Sequence, residues 1–507
     1  MKKTFLTLAA ALMVSFTVCA QNSKTTSKPN IIFILSDDLG IGDVNFFNPQ
    51  GKIKTPNIDR LGHEGMVFND VHSSSSVCTP SRYSILTGRY NWRSRLPKGV
   101  LNGYDKPLID ADRLTVAKML QQNGYTTACI GKWHLGLGWD IITPGAKPVI
   151  DYTKNITDGP TTRGFDYFFG IAASLDMPPF IFIENNHTVG LPTATKKWVH
   201  EGPAAPDFEA VNCVPTLAAK ASAYIKDKAA KGQPFFLYFT LPSPHTPIVP
   251  DDQFKGKSGV TEYGDYVMET DWAVGQILKA VDEGKIAKNT IIMFASDNGF
   301  APYVLKTWNV EALGHFPSIN YRGYKSDIWE GGHRIPFIVR WPAVVKPGAT
   351  CSNTVCLTDF MATAAAILKQ PLPDNAAEDS YNILPYLTGK TTKPIREATV
   401  HHSIDGNFAI RQGKWKLELC PGSGGWEAPR NAAAVKEGLP PVQLYNLETD
   451  ISEKDNVQDK KPEVVKHLLN LLQQYVDNGR STPGKPQHND TAVDIWKKVP
   501  AAAKTGN

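Results

Sequence analysis

Short runs of apolar residues alternate along the chain with longer segments whose apolar residues recur at helical spacing. The short runs predict buried strands over residues 31–35, 126–130, 235–241, 290–295 and 336–341. The longer segments predict helices over 114–123, 217–231, 263–283 and 358–369, the first three ending at Gly124, Gly232 and Gly284. Because strands and helices alternate, we expect an α/β fold with a large, mainly parallel sheet flanked by helices.

The pattern changes near residue 391. Residues 408–419 alternate around Gly413 as a hairpin would, a Gly/Pro-rich loop follows, and residues 462–476 have helical periodicity. We therefore interpret residues 21–390 as one large domain and 391–507 as a smaller C-terminal α+β subdomain. His401 and His402 fall in a predicted strand with no third metal ligand near them in sequence, so we expect them to be structural.

The first twenty residues have the pattern of a secretory signal peptide. Lys2 and Lys3 precede an apolar stretch over residues 5–18, and Ala20 precedes a polar run over 21–28. This predicts cleavage after Ala20 and an exported protein, periplasmic or secreted. No later stretch is long and apolar enough to cross a bilayer, so we expect no membrane span in the mature protein.

Composition narrows the class of protein further. The 507 residues are 42% hydrophobic and 20% charged, which excludes collagen, a coiled coil and wholesale disorder. Loss of Lys2 and Lys3 lowers the formal net charge from +5 to +3, and no basic cluster is present, so nucleic acid is not an expected partner. Six cysteines remain, too few for a disulfide scaffold, although Cys351 and Cys356 could form a local disulfide.

Carboxylates follow two of the predicted strands directly. Asp37 and Asp38 come after residues 31–35, while Asp297 and Asn298 come after residues 290–295. Either pair alone is more typical of a turn. Because ligands of open α/β sheets bind at the carboxyl ends of strands, the two pairs together predict a site for Ca²⁺ or Mg²⁺.

Between these strands lies the stretch Cys78-Thr79-Pro80-Ser81-Arg82. Pro80 suits the first turn of a helix, which would place Cys78 at the amino end, where free N–H groups favour anions. Arg82 would then lie on the same helical face as Cys78. Taken alone, a cysteine and an arginine in this setting are more typical of an ordinary buried helix.

The whole set of motifs resembles the type I sulfatase family of the alkaline-phosphatase-like superfamily. Residues 78–82 resemble the Cys-x-Pro-x-Arg signature of that family, and the resemblance covers roughly residues 29–345. It extends through Asp37-Asp38, Gly131-Lys132-Trp133-His134, Pro244-His245-Thr246-Pro247, Asp297-Asn298-Gly299, Gly323-Tyr324-Lys325 and Glu330-Gly331-Gly332-His333-Arg334. Taken together, the motifs are most similar to those of arylsulfatase A-like and N-acetylgalactosamine-6-sulfatase-like members. It implies an alkaline-phosphatase-like sandwich with a catalytic domain over 21–390.

The resemblance also implies cofactors and residue roles. A formylglycine-generating maturation enzyme would oxidise Cys78 to Cα-formylglycine. One hydroxyl of the aldehyde hydrate would attack sulfur, and the other would later expel sulfate. The implied ligands of Ca²⁺ are Asp37, Asp38, Asp297, Asn298 and the hydrate at Cys78. Lys132 and Lys325 would hold sulfate oxygens, Arg82 the hydrate, His245 would be the general acid and His134 the base. Ser174 resembles a family serine near the sulfate.

Two interpretations stay open for several aromatic and histidine residues. His315, His333, Trp92 and Trp329 could line a sugar pocket or could pack in the interior. The expected activity is hydrolysis of sulfate esters on carbohydrates, with exo-action on 6-O-sulfated galactose or N-acetylgalactosamine as the suggested specificity. Two alternatives stay open: a phosphate or phosphonate ester hydrolase of the same superfamily, and an inactive secreted glycan-binding protein.

Overall fold

The computed structural model describes residues 28–145 and 148–497, so the predicted signal peptide lies outside the described residues. A ten-stranded sheet forms the centre of the larger domain. In chain order its strands are β1 (Asn30–Ser36), β2 (Met66–Phe68), β3 (Thr126–Lys132), β4 (Tyr167–Ile171), β5 (Ile183–Glu184), β6 (His187–Thr188), β7 (Phe235–Thr240), β8 (Thr290–Ser296), β9 (Phe337–Arg340) and β10 (Ala349–Cys351).

The spatial order is β10-β2-β9-β8-β1-β7-β3-β4-β5-β6. The five adjacent strands from β8 to β4 are parallel, while β9, β5 and β6 run antiparallel to their neighbours. All five strands predicted from apolar runs are present, with bounds within two residues of those expected. The expected α/β architecture with a mainly parallel sheet is confirmed.

The central strand shows why the apolar runs are continuous. In β1, Ile31, Phe33 and Leu35 belong to the hydrophobic core on one face of the sheet. Ile32 and Ile34 belong to the core on the opposite face. Because successive side chains of a strand point to opposite faces, a strand covered on both sides must be apolar throughout.

Helices cover both faces. Within the described ranges they are α1 (Pro56–Glu64), α2 (Cys78–Thr87), α3 (Val116–Gln122), α4 (Cys213–Lys231), α5 (Glu262–Glu283), α6 (Tyr303–Trp308), α7 (Glu330–His333), α8 (Phe360–Leu368), α9 (Leu384–Leu387), α10 (Asn431–Lys436) and α11 (Pro462–Asp477). Helix α4 begins four residues earlier than predicted, because Pro215 is tolerated in a first turn.

The C-terminal part contains a four-stranded antiparallel sheet of β11 (Thr399–His402), β12 (Phe408–Gln412), β13 (Trp415–Glu418) and β14 (Gln443–Asn446). The predicted hairpin is the pair β12–β13, and α11 packs on this sheet through Leu468 and Leu472. Tyr90 and Trp92 of the larger domain belong to the same core, so the two parts share apolar contacts. The boundary at residue 390 stays a prediction.

All six cysteines of the described chain are free and buried, so Cys351 and Cys356 form no disulfide. Short strand pairs complete the architecture: Val71–His72 with Val355–Cys356, Ala194–Lys197 with Glu201–Ala204, and Ile141–Thr143 with Val149–Ile150. Among the described helices, none combines the length and the apolarity that a membrane crossing requires.

Candidate active site

Strand register brings the predicted acidic residues to one edge of the sheet. Ser36 lies opposite Ser296 in the pairing of β1 with β8, so the residues that follow each strand leave the sheet side by side. The Asp297 amide donates to the Ser36 carbonyl oxygen at 3.1 Å. Asp37, Asp38, Asp297 and Asn298 are all essentially inaccessible to solvent.

Gly131 allows the neighbouring strand β3 to reach the same place. Its φ is +128°, and a Cβ at this position would lie 1.8 Å from the Thr240 carbonyl oxygen, so only glycine fits. The next residue, Lys132, is thereby held at the edge of the sheet. Its carbonyl accepts hydrogen bonds from Thr240 Oγ1 at 2.8 Å and from Arg82 Nη1 at 2.9 Å.

Cys78 is the first residue of helix α2, as predicted, and Val77 before it is extended. The helix ends at Gly88, which is left-handed with φ of +64°. Cys78 is 2% exposed, and burial raises the pKa of its thiol to about 11 despite the nearby Lys132 and Lys325. An unmodified thiol at this position is therefore protonated at neutral pH and is a weak nucleophile.

Three cationic side chains each pair with one carboxylate beside Cys78. Lys132 Nζ lies 2.5 Å from Asp37 Oδ2, and Lys325 Nζ lies 2.8 Å from Asp38 Oδ2. Arg82 donates to Asp297 Oδ2 from Nε at 3.0 Å and from Nη2 at 2.8 Å. We call the set Asp37, Asp38, Asp297 and Asn298, with these three cations, the carboxylate cluster. The three carboxylates and the three cationic side chains balance in formal charge. A bound divalent cation would therefore give the site a net positive charge, which would attract an anionic substrate.

The donor set fits a hard divalent cation. Asp37 Oδ1 and Asn298 Oδ1 are buried oxygen acceptors with no hydrogen-bond partner among residues 28–145 and 148–497. Burial and the Asp37 charge raise the pKa of Asp297 to about 7, although Arg82 opposes this shift. Burial alone would raise the pKa of Asp37. The positive charges of Lys132, His245 and Arg82 outweigh this effect and hold the pKa of Asp37 well below its usual range. Crowded buried oxygens of this kind are the ligands that Ca²⁺ and Mg²⁺ prefer.

Asp38 is held by two partners besides Lys325. Asn298 Nδ2 donates to Asp38 Oδ1 at 2.8 Å, and Tyr303 OH donates to Asp38 Oδ2 at 2.6 Å. Asp38 also has a φ of +64°, a strained conformation of the kind that clusters at functional sites. The sequence analysis missed Tyr303, because nothing marks a tyrosine in a short helix except its position five residues after Asn298.

Two histidines flank the cluster. His245 Nε2 lies 3.7 Å from Asp38 Oδ2, and His245 Nδ1 lies 2.6 Å from the Thr246 carbonyl oxygen. His134 Nε2 lies 2.7 Å from the Leu101 carbonyl oxygen, which can only accept, so this contact assigns the proton to Nε2 and leaves Nδ1 as an acceptor. Burial, followed by Lys132 and Arg82, holds the pKa of His134 well below its usual value.

The remaining predicted residues lie in different surroundings. Ser174 is buried in the segment after β4, two residues before Asp176, whose Oδ1 lies 4.0 Å from His245 Nδ1. His315 is fully buried with Nε2 2.8 Å from Asp43 Oδ1. The structure brings neither His315 nor His333 into the carboxylate cluster, and their role in a sugar pocket stays a prediction.

The two tryptophans are packing residues. Trp92 stacks on Tyr90 with ring centroids 5.7 Å apart, within the core shared with the C-terminal sheet. Trp329 Nε1 donates to Gln443 Oε1 at 3.2 Å, and the Arg322 guanidinium lies 3.7 Å from its ring centroid. Both side chains are almost completely buried, so of the two interpretations the structure favours packing.

Comparison with known proteins identifies the family. The sulfatase family profile matches residues 29–369, and the chain belongs to the sulfatase family. It is a sulfuric ester hydrolase with an alkaline-phosphatase-like fold. Its relatives include the N-acetylgalactosamine-6-O-sulfatase of Bacteroides thetaiotaomicron, 36% identical over 89% of this chain and 94% of the relative. Human arylsulfatase A is 31% identical over 89% of this chain and 88% of the relative.

Solved structures agree with this assignment. A structure from work on the metabolism of multiple glycosaminoglycans by Bacteroides thetaiotaomicron superposes with a TM-score of 0.78 at 35% identity, covering 88% of this chain and 99% of that one. The crystal structure of Ps i-CgsB in complex with k-i-k-neocarrahexaose gives a TM-score of 0.69 at 25% identity, covering 88% and 92%. The expected resemblance to arylsulfatase A-like and N-acetylgalactosamine-6-sulfatase-like proteins is confirmed.

Proposed function

We propose that the protein is an exo-acting glycan sulfatase that uses Cα-formylglycine at position 78 and a bound Ca²⁺, and that it prefers 6-O-sulfated galactose or N-acetylgalactosamine. The observation that carries the proposal is the carboxylate cluster beside Cys78. The ends of β1, β3 and β8, helix α2 and the loop before α7 place three carboxylates, three cations and the Cys78 side chain together in a buried site.

The buried thiol supports a modified residue 78. With its pKa raised to about 11 by burial, an unmodified Cys78 would supply little thiolate at neutral pH. An aldehyde hydrate supplies one hydroxyl that can bond to sulfur and a second whose deprotonation lets sulfate leave with regeneration of the aldehyde. A serine hydroxyl could accept the sulfuryl group but could not release it in this way.

The chain's own residues would bind the sulfate and hold the ion. Lys132 reaches the site from the end of β3 and Lys325 from the loop before α7, so their ammonium groups would contact different sulfate oxygens. Arg82 fixes the Asp297 carboxylate with two hydrogen bonds. Asp37, Asp38, Asp297 and Asn298 would hold Ca²⁺, which supplies Lewis-acid polarisation of a sulfate oxygen when bound.

The histidines divide the proton transfers between them. His134 is neutral over the working pH range, and its Nδ1 is the acceptor that would take a proton from residue 78. His245 is 5% exposed and lies beside Asp38, and the alcohol of the substrate would leave next to it. Its side chain would donate a proton to that oxygen, which a sugar alkoxide needs because it is a poor leaving group.

The relatives support a saccharide substrate. One relative is named an N-acetylgalactosamine-6-O-sulfatase, and one structural neighbour was solved with a neocarrahexaose. The test is desulfation of 6-O-sulfated galactose and N-acetylgalactosamine by matured enzyme, beside 3-O-sulfated, 4-O-sulfated and glucose-configured sugars and phosphate monoesters. A preference for another sulfate position would overturn the 6-O assignment alone, while faster phosphate release would overturn the sulfatase mechanism.

Export is part of the same proposal. Residues 1–20 would direct the chain out of the cytoplasm to the periplasm or the outside, and a formylglycine-generating enzyme would modify Cys78 before folding buries it. Mass spectrometry of protein isolated from the exported fraction should show a chain that begins at Gln21 and a residue-78 peptide lighter than the cysteine form by the mass of the thiol-to-aldehyde change. A chain that retains residues 1–20 in that fraction would contradict the proposal.

A further inference from the structure

Three buried histidines meet at the boundary between the large domain and the C-terminal sheet. His72 ends the short strand Val71–His72, His333 ends helix α7, and His401 lies in β11. Their ring centroids are 5.1 Å, 4.6 Å and 4.0 Å apart, and one nitrogen from each ring lies within 4.8 Å of the others. No further histidine lies near His401 and His402 in sequence, but the fold brings His72 and His333 to His401 from distant positions. We call these residues the histidine cluster.

One nitrogen of each ring faces an oxygen that can only accept a hydrogen bond. His72 Nε2 lies 2.8 Å from Asp70 Oδ1, and His333 Nε2 lies 3.0 Å from the Ile328 carbonyl oxygen. His401 Nδ1 lies 3.2 Å from the Ser73 carbonyl oxygen. The two carbonyl contacts assign the ring proton of His333 to Nε2 and that of His401 to Nδ1. Metal-binding histidines usually donate their second nitrogen to a carboxylate or carbonyl in this way.

Two arginines also approach His72 Nε2. Arg411 Nη1 lies 2.9 Å and Arg334 Nη1 lies 3.2 Å from that nitrogen. The guanidinium groups of Arg334 and Arg411 also form ion pairs with Asp70 Oδ1, which lies next to His72 Nε2. Because a guanidinium group can only donate, His72 Nε2 accepts from the two arginines, and the proton of a neutral His72 ring lies on Nδ1.

The remaining nitrogens of the three rings are His72 Nδ1, His333 Nδ1 and His401 Nε2. His72 Nδ1 donates to His333 Nδ1 at 2.9 Å, so an ion that joined these two nitrogens would take the place of this proton, with His72 Nε2 then protonated and donating to Asp70 Oδ1. His401 Nε2 is buried and has no hydrogen-bond partner in the part of the chain that the structure describes. Either a shared proton or a cation can occupy the space between the facing nitrogens.

The side chains next to the histidine cluster include carboxylates as well as cations. They are Asp70, Glu330, Glu418 and Glu453, with Arg334, Arg411 and Lys416. Neither oxygen of Glu330 has a hydrogen bond within the described chain, and Glu330 Oε1 lies 3.9 Å from His333 Nε2. Neutral imidazole is the most common nitrogen ligand of zinc.

We propose that His72, His333 and His401 bind a structural Zn²⁺ ion through His72 Nδ1, His333 Nδ1 and His401 Nε2. In a tetrahedral site with Zn–N distances of about 2.0–2.1 Å, the nitrogens are roughly 3.3 Å apart. His72 and His333 would separate by a few tenths of an ångström, and His401 would turn out of its stack with His333. A water molecule would take the fourth position. All three rings are buried, so the ion would connect β11 to the segment that leads to Cys78 and would not contact substrate.

The test is zinc content of the full-length protein after loading with one equivalent of Zn²⁺ and gel filtration. We expect close to one zinc per chain in the wild type, and at least a tenfold lower content in His401→Gln. The matched control is His402→Gln, which changes the adjacent buried histidine of the same strand and should keep the zinc. Asp297→Asn should also keep it, because the carboxylate cluster is a separate site.

Three results would overturn the proposal: no zinc in the loaded wild type, zinc retained by His401→Gln, or zinc lost from Asp297→Asn but not from His401→Gln. The zinc content of the wild type tests the proposal even if the variants fail to fold. X-ray absorption of the zinc-loaded protein should show scattering from three imidazole rings. Coordination by oxygen alone, or a histidine pair that shares a proton at 2.9 Å while zinc fails to bind, would reject the site.

Discussion

The carboxylate cluster and the histidine cluster lie at opposite ends of one segment, residues 70–78, yet the chain assembles them in different ways. In the carboxylate cluster, acidic residues directly follow buried strands, and sheet register alone brings Asp37 beside Asp297. In the histidine cluster, three single residues come from a short strand, a four-residue helix and the C-terminal sheet. Packing of the two parts of the chain is what brings them together.

The two clusters also balance charge differently. Each carboxylate beside Cys78 pairs with its own cationic side chain, so the formal charges balance and the site can bind a metal ion together with an anionic substrate. Around Lys416, by contrast, three buried carboxylates share one ammonium: Glu453 at 2.7 Å, Glu418 at 3.0 Å and Glu330 at 3.2 Å. The first arrangement suits ligand binding. The second makes the stability of the subdomain boundary depend on a single side chain.

The largest effect is expected at residue 78. Cys78→Ala removes the nucleophile, so the rate of sulfate release should fall about 10⁴-fold or more. The melting temperature should change little, because the side chain is small and no buried polar group loses a partner. Sulfate release by ion chromatography and a thermal melt on the same sample measure both quantities.

Cys129→Ala is the matched control for that variant, since Cys129 is also fully buried but lies within β3. It should cost about 1 kcal/mol of stability and leave activity unchanged. Equal loss of activity in both variants would show that residue 78 acts through packing. Full activity with unmodified cysteine at position 78 would reject the aldehyde mechanism.

Lys416→Met tests the other side of the comparison. Removing the ammonium leaves three buried carboxylates without their shared partner, which should lower the free energy of unfolding by about 3–5 kcal/mol. The folded fraction should keep its activity within about tenfold. Denaturant titration measures the loss, and Lys414→Met, an exposed neighbour that pairs with Glu448 at 3.3 Å, should cost under about 1 kcal/mol. A similar small cost for both would contradict the inferred dependence on Lys416.

The same contrast explains what could be predicted from sequence. The strands, the position of Cys78 at the amino end of α2, and the meeting of Asp37 with Asp297 follow from apolar runs and motifs whose residues are adjacent in the chain. Tyr303 could not be found, because its contact with Asp38 depends on how a short loop and helix fold back.

His401 illustrates the limit more sharply. Its strand was predicted correctly, but its neighbours His72 and His333 come from distant parts of the chain, and no spacing rule relates them. His315 shows the converse. It lies within the run of family motifs, yet its imidazole binds Asp43 in the interior, where only tertiary packing decides its environment.

Asp297→Asn tests the cation expected at the carboxylate cluster. We expect activity to fall about 10²–10³-fold, in the range seen when one preorganised electrostatic group is removed. A chelator should lower both the activity and the melting temperature of the wild type, and Ca²⁺ should restore both, because an ion that binds only the folded state stabilises it. Asp297→Asn should show a smaller chelator effect on the melting temperature. Full activity in a sample shown to be free of metal would contradict this prediction.

His245→Ala separates acid catalysis from sulfate binding. The variant should lose about 10- to 100-fold more activity on a sugar sulfate than on an aryl sulfate, because a phenolate leaves without a proton. His134→Ala should reduce both rates equally, since its proton transfer follows departure of the alcohol. Steady-state rates on the two substrates give the ratio, and equal losses for His245→Ala would indicate that this residue positions the sulfate instead.

Glu269 provides a buried carboxylate outside both clusters and has the smallest expected effect. Its Oε2 accepts from the Asp251 amide at 2.8 Å, and burial raises its pKa to about 8, against 4.5 for an ordinary glutamate. The folded state therefore keeps a proton that the unfolded state releases, so stability is lost as pH rises from 4.5 through 8. Glu269→Gln does not titrate, and it should melt as the wild type does at pH 5 but about 2–5 °C higher at pH 9. Thermal melts of both proteins from pH 5 to pH 9 measure this difference. An equal shift of the melting temperature at both pH values would mean that titration of Glu269 does not cause it.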